Sequence, residues 1–335
     1  MEEQQDLFSE IMPPAKPKHV ERLQQVQEGL PAKLFLGTTS WSNEDWEGLV
    51  YPEGCAAADY IEHYAKVFKG VEIDSTWYRI PTPKAVEGWL RRTPEEFRFT
   101  AKVPRVISHE KGLVDCIAEM EEFLYAMEPL GERLGPLLLQ FPYVARGQDA
   151  HENEHGSEFL DRLAKFLPQL PSEDFRFAVE VRNGRWLRQA LVDLLREHGV
   201  ALVLNNYYTM PDLGEVRQRM DPITADFLYL RFLGDRKRMD EHVEGLISRG
   251  EKQRHWDKLV WDRGVETGRW AQQVREMMEP EPEREVYAFS ITTTPAMRRV
   301  RWGFLHGRGK KISSSAECLL IGQYDLRLVG IRAVE

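Results

Sequence analysis

Cysteine is scarce in this sequence: Cys55, Cys116 and Cys318 are the only three. They are odd in number and far apart, and make neither a disulfide framework nor the close pairs of a zinc site. That pattern points to a reducing compartment. Long apolar runs are missing too, and none approaches the roughly 18 residues a membrane-crossing helix needs. The amino-terminal stretch MEEQQDLFSE is acidic and polar where a secretory signal would be basic and then apolar. The expected location is cytoplasmic, with no membrane partner. Positive charge is in deficit as well. A net charge of −9 argues against a protein that coats nucleic acid nonspecifically, because such binding needs a surplus of Lys and Arg. A local basic pocket remains compatible with it.

Several catalytic signatures are also absent. No HxH or HExxH spacing occurs, and His109 is the sole histidine near a predicted strand end, so no metal or other cofactor is expected. No GxSxG elbow marks a nucleophilic serine. No glycine-rich phosphate loop follows the first predicted strand, which ends in Gly37-Thr38-Thr39-Ser40-Trp41. That absence weakens an open, doubly wound sheet.

What is present is alternation. Hydrophobic residues make up 42% and charged residues 30% of the 335 residues, which suits a globular chain with a sizeable core. After a polar arm over 1–32, β-rich segments are predicted over 33–37, 70–75, 98–103, 136–141, 176–181, 200–205, 227–232 and 286–289. Amphipathic stretches over 56–68, 83–92, 113–134, 157–166 and 186–198 read as the intervening helices, with an abbreviated crossover over 206–226. A long helix over 253–279 is expected to break near Gly264 and Gly268. Alternating strands and helices call for parallel pairing and right-handed crossovers. Eight such strands are the number that closes a (β/α)8 TIM-type barrel, here spanning 33–290.

In such a barrel the chemistry collects where the strands end. The predicted ends carry polar residues set among apolar ones: Trp41, then Glu72 and Tyr78, Lys102 with His109 beyond it, Gln140, Glu180 and Arg182, Asn205, and Arg231. A buried unpaired charge costs several kcal/mol, so these groups must pair with one another or face a wet pocket. One reading is a structural ion network, in which Glu72 and Glu180 neutralise Lys102, Arg182 and Arg231. The other is an active site for a small polar, sugar- or phosphate-bearing substrate, worked by a metal-independent hydrolase, lyase or isomerase. There Glu72, Glu180 and His109 are the acid/base candidates. Lys102, Arg182 and Arg231 would bind an anion, Gln140 and Asn205 would orient the substrate, and Trp41 and Tyr78 would line it. An alternative from another class is a nucleic-acid-binding or repair-associated barrel, with phosphates on the cations and bases on Trp41, Trp77 or Tyr78.

The same strand ends resemble the YecE-like family, a group of domains of unknown function. The resemblance rests on Gly37-Thr38-Thr39-Ser40-Trp41, Val71-Glu72-Ile73-Asp74-Ser75-Thr76-Trp77-Tyr78-Arg79, Phe99-Thr100-Ala101-Lys102 and Ser108-His109. It continues through Leu139-Gln140-Phe141-Pro142, Ala178-Val179-Glu180-Val181-Arg182 and Tyr229-Leu230-Arg231. It implies a barrel fold and brings no reaction with it.

The chain departs from that pattern after Tyr287-Ala288-Phe289, where the family would continue with an Asn-Asn-His-like motif. Here Ser290-Ile291-Thr292-Thr293-Thr294-Pro295-Ala296-Met297-Arg298-Arg299 stands instead. Allowed codons for these residues include TCA ATA ACC ACT ACG CCG GCA ATG CGC CGG. With the first two bases skipped they read Asn-Asn-His-Tyr-Ala-Gly-Asn-Ala-Pro. A frameshift near codon 290 is therefore expected. It would leave 291–335 as an atypical tail and the last β/α unit degraded.

Overall fold

The computed structural model describes residues 24, 30–144, 156–250 and 263–291. The expected arm over 1–32 and tail over 291–335 lie almost entirely outside the described residues, as does 251–262. The elements run β1 (Leu34–Thr38), α1 (Tyr60–Ala65), β2 (Gly70–Ile73), α2 (Pro83–Arg91), β3 (Arg98–Lys102), α3 (Ile117–Met127), β4 (Leu134–Gln140) and α4 (Gly156–Phe166). They continue as β5 (Phe177–Glu180), α5 (Gln189–Glu197), β6 (Ala201–Asn205), α6 (Leu213–Arg219), β7 (Phe227–Phe232), α7 (Arg236–Ser248), α8 (Gly264–Met278) and β8 (Glu285–Ser290). Every strand pair is parallel, and the eight strands follow the order β1-β8-β7-β6-β5-β4-β3-β2.

The ring closes at β1 and β2 without a backbone ladder between them among the described residues. The Tyr64 hydroxyl of α1 bridges the gap instead. It accepts from the Thr38 N–H at 2.7 Å and donates to the Gly70 carbonyl at 3.2 Å. The two strands approach closely enough that a Cβ at Gly37 would lie 1.9 Å from the Gly70 oxygen. Only glycine fits there.

Alternation along each strand separates two cores. On β7, Leu228, Leu230 and Phe232 point outward into the large core shared with the helices, while Phe227 and Tyr229 point inward. The inner core also holds Phe35, Leu138, Ala178, Ala201, Val203, Tyr287 and Phe289. Side chains therefore fill the barrel. Its amino end is sealed by Arg176, paired with Glu285 and donating to the Tyr287 hydroxyl at 2.7 Å.

Helix starts follow local chemistry. Thr82 accepts from the Ala85 N–H ahead of Pro83 at the start of α2, and Asp235 accepts from the Arg238 N–H at α7. Two helical expectations are corrected. No break occurs at Gly268: α8 starts at Gly264 and runs unbroken to Met278, burying Trp270, Ala271, Val274 and Met277 along one face. That burial outweighs the roughly 1 kcal/mol an interior glycine costs. Helix α7 was not expected, because its sequence RKRMDEHVEGLIS carries little apolar periodicity. Its Asp235 cap was the readable signal.

Candidate active site

The inward-pointing residues nearest the carboxyl ends of the strands form a continuous polar layer. Arg231, on β7, reaches across the barrel in two directions. Its Nη2 donates to Glu72 Oε1 on β2 at 2.7 Å, and its Nη1 to Glu180 Oε2 on β5 at 2.6 Å. The other oxygen of Glu72 accepts from the Tyr229 hydroxyl at 2.7 Å, and the other oxygen of Glu180 from Arg182 Nε at 2.7 Å. Tyr229 lies 3.0 Å from Thr100 Oγ1 on β3. Glu72 and Glu180 are 0% exposed and Arg231 2%, so this is a fully desolvated chain of charge and hydrogen bonds.

The two carboxylates differ. Burial raises the pKa of Glu72 above the usual carboxylate range, and Arg231 offsets that only partly. For Glu180 burial pulls the same way, but Arg231 and Arg182 together overcome it and leave the pKa below the usual range. Glu180 bonds directly to two arginines, whereas Glu72 bonds to one and is opposed by the nearby Asp74 carboxylate, with Lys102 the smaller influence. Arg231 Nε is buried with no hydrogen-bond partner among the described residues.

Above this layer lie groups with more access. Lys102, at the end of β3, pairs with the half-exposed Asp74 at 3.0 Å, and its Nζ stands 4.9 Å from the centre of the Trp77 ring. Burial lowers the pKa of this lysine below the ordinary value. His109 meets Trp77 edge-on at 5.1 Å, and its Nδ1 shares a 2.8 Å hydrogen bond with Ser108 Oγ. Burial first, and then the nearby cations Lys102, Arg182 and Arg105, push its pKa down to about 4. The turn carrying it leads into Gly112, Leu113 and Asp115, all with positive φ. For a leucine at φ 72° this is a strained backbone. The Arg162 Nε bond to the Gly112 carbonyl (2.9 Å) and the Leu113 N–H bond to the Ile107 carbonyl (3.0 Å) hold it there.

Just beyond β5, Arg182 lays its guanidinium 4.9 Å from the centre of the Tyr207 ring. Its Nη groups make no hydrogen bond among the described residues.

The structure thus joins Glu72, Glu180, Arg182 and Arg231 directly. It sets Lys102, His109 and Tyr78 around Trp77, which Tyr78 meets edge-on at 4.7 Å. Of the remaining candidates, Gln140 and Asn205 stand in register beside Glu180 and Arg231 but bond to backbone, and Trp41 lies outside the layer. Trp41 packs edge-on against Trp89 of α2 at 5.6 Å. Asn205 spends both ends of its amide on backbone, donating to the Val181 carbonyl and accepting from the Tyr207 N–H, each at 3.1 Å. Gln140 donates to the Phe141 carbonyl at 2.6 Å. Tyr229 and Thr100 belong to the layer and were not among the sequence candidates. Tyr229 and Thr100 stand two residues before Arg231 and Lys102, so strand alternation alone puts each on the same face as its neighbour. No three His, Cys, Asp or Glu side chains converge as metal ligands would among the described residues. No described helix is long and apolar enough to cross a membrane.

Comparison with known proteins gives a consistent picture. The family model described as "Protein of unknown function DUF72" matches residues 35–299. UPF0759 protein YecE of Escherichia coli (strain K12) is 33% identical over 176 residues, covering 51% of this chain and 58% of that protein. UPF0759 protein YunF of Bacillus subtilis (strain 168) is 30% identical over 115 residues, or 32% of this chain and 40% of that one. The chain therefore spans about half the length of the curated relatives it matches. A crystal structure of a DUF72 family protein from Thermotoga maritima MSB8 superposes with a TM-score of 0.58 at 27% identity, covering 81% of this chain and 96% of that one. A DUF72 family protein from Enterococcus faecalis V583 gives 0.54 at 20% identity, covering 84% and 100%, a likeness of fold alone.

Proposed function

This chain belongs to the DUF72 family of proteins of unknown function, and from that premise we propose that its barrel mouth is an enzyme active site for a small polar, sugar- or phosphate-bearing substrate, worked by acid/base chemistry. The observation that carries this reading is the asymmetry of the cations. Arg231 is consumed by two buried carboxylates, whereas Lys102 and Arg182 each have one carboxylate partner and some access. Two such groups facing a water-poor mouth suit an anion, and would stabilise negative charge that develops during reaction.

His109 is the proton acceptor in this scheme. With a pKa of about 4 it is neutral at pH 7. An anion bound between Lys102 and Arg182 would cancel part of the field that holds its pKa down, raising its basicity when substrate arrives. Glu72 and Glu180, the acid/base candidates of the sequence, have all four oxygens engaged and no exposed surface. We assign them to support: Glu180 fixes Arg182, and Glu72 holds Arg231 and Tyr229. A nucleic-acid reading based on stacking at Trp77 is less favoured, because Lys102 and Arg105 already lie over that ring at 4.9 and 5.2 Å.

A panel of sugar phosphates and organic anions, screened with the full chain and its variants, tests the proposal. Lys102→Met and His109→Gln are each expected to lower kcat/KM by about a hundredfold or more. Glu180→Gln should act mainly through KM. Unchanged turnover in the first two variants would remove the mouth from the chemistry.

A further inference from the structure

Among the described residues most aromatic side chains are buried; besides Tyr125 on α3, the exposed tyrosines are Tyr78, Tyr143 and Tyr208, at 70%, 40% and 46%. All three follow strand ends at the mouth, after β2, β4 and β6. Tyrosine offers a large flat surface at little entropic cost, so clustered exposed rings beside a polar site call for a ligand. Tyr143 and Tyr208 stand 6.2 Å apart at 55°, and Tyr207 packs 4.6 Å behind Tyr208. The Tyr207 ring in turn carries the Arg182 guanidinium. A short path of rings therefore leads from the candidate anion-binding arginine to two open aromatic surfaces.

This rim is held in place. Asn183 is 2% exposed, and its amide, turned to suit, donates to the Val144 carbonyl and accepts from the Val144 N–H, fixing the chain next to Tyr143. Thr209 donates to the Arg182 carbonyl, tying the Tyr207–Tyr208 segment to β5. The polar side chains flanking the tyrosines, Asn183, Asn205 and Thr209, are thus all committed to backbone. With those side chains committed, the largest surfaces the rim offers are the faces of its rings, which suit a planar heterocycle.

We propose that Tyr143 and Tyr208 form a base-stacking subsite beside Arg182, so that the substrate of this mouth is a mononucleotide, its phosphate on Arg182 and Lys102 and its base against the tyrosines. This rests on the anion-binding reading above and narrows it. A small ligand fits better than a nucleic-acid strand, since the chain as a whole carries a charge of −9 and lacks the cationic surplus that tracks a backbone.

Isothermal titration of the full chain with AMP, ribose 5-phosphate and inorganic phosphate tests it. AMP is expected to bind about tenfold more tightly than ribose 5-phosphate, the gain one stacked base supplies. The double variant Tyr143→Ala/Tyr208→Ala should abolish that difference and leave ribose 5-phosphate unchanged, while Tyr143→Phe/Tyr208→Phe should preserve it. Equal affinities for AMP and ribose 5-phosphate, both weakened by Arg182→Ala, would overturn the base subsite and leave the anion site standing. If none of the three binds, both readings fall. A single-stranded oligonucleotide that binds more than about a hundredfold tighter than AMP, with steep salt dependence, would overturn the mononucleotide.

Discussion

Single side chains at the mouth are tuned in opposite directions, and each direction can be measured. The unfolded chain takes up the His109 proton near 6.5, the folded chain only near 4. Between those values the unfolded state binds more protons, so His109 removes stability as pH falls through that window. Titration of the His109 ring by NMR should show a midpoint near 4, and Lys102→Met should raise it. The two buried glutamates offer a contrast. The pKa of Glu180 is held below the usual range and that of Glu72 above it. A neutral amide should therefore cost more at the first site than at the second. Urea unfolding is expected to rank Glu180→Gln as more destabilising than Glu72→Gln. Arg231→Met should exceed both, at about 3–5 kcal/mol or more, because it strands buried carboxylates without a partner. A variant Arg231→Met as stable as the parent would mean that the network contributes little to folding.

Among the elements, the seam between β1 and β2 is the one place where the sheet does not close through its own backbone among the described residues. Tyr64→Phe removes the hydroxyl that bridges the Thr38 N–H and the Gly70 carbonyl. Leaving that buried donor unsatisfied is expected to cost about 1–3 kcal/mol. Hydrogen exchange should report faster opening at Thr38 in that variant. Gly37→Ala should be worse, since its new Cβ would lie 1.9 Å from a backbone oxygen that cannot swing aside. Overpacking of this kind costs about 1–3 kcal/mol or more. Because Thr38 and Glu72 leave the two sides of this seam toward the mouth, loosening it should also lower affinity for anions there.

For the molecule as a whole, the open question of sequence is the stretch after β8. The family match runs past codon 290 to residue 299, while Ser290 to Arg299 can be rewritten in another frame to give an Asn-Asn-His motif. We propose that the gene carries a frameshift at that point. Sequencing the locus should find codons that allow the alternative frame. An intact frame whose codons cannot encode Asn-Asn-His would end the idea, and the basic stretch from Arg298 to Lys311 would then need an explanation as native sequence.

Alternating apolar segments, polar interruptions at their ends and the absence of a glycine-rich loop were enough to specify eight parallel strands closing as a barrel. Each strand buries its own faces, and that demand is written locally in its residues. The same local reading identified Glu72, Lys102, Glu180, Arg182 and Arg231 as mouth residues. What it could not decide is which of them pair, because pairing depends on reach across the ring. Arg231 on β7 meets Glu72 and Glu180, partners 159 and 51 positions away in the chain, while Lys102 and Arg182 each pair with a single carboxylate. The same limit hid the commitment of Asn205 to backbone, the turn of Trp41 toward α2, and the gathering of Tyr143, Tyr207 and Tyr208 beside Arg182. Charge and hydrophobicity belong to residues, but desolvation and pairing belong to neighbours, and only the folded ring assigns those.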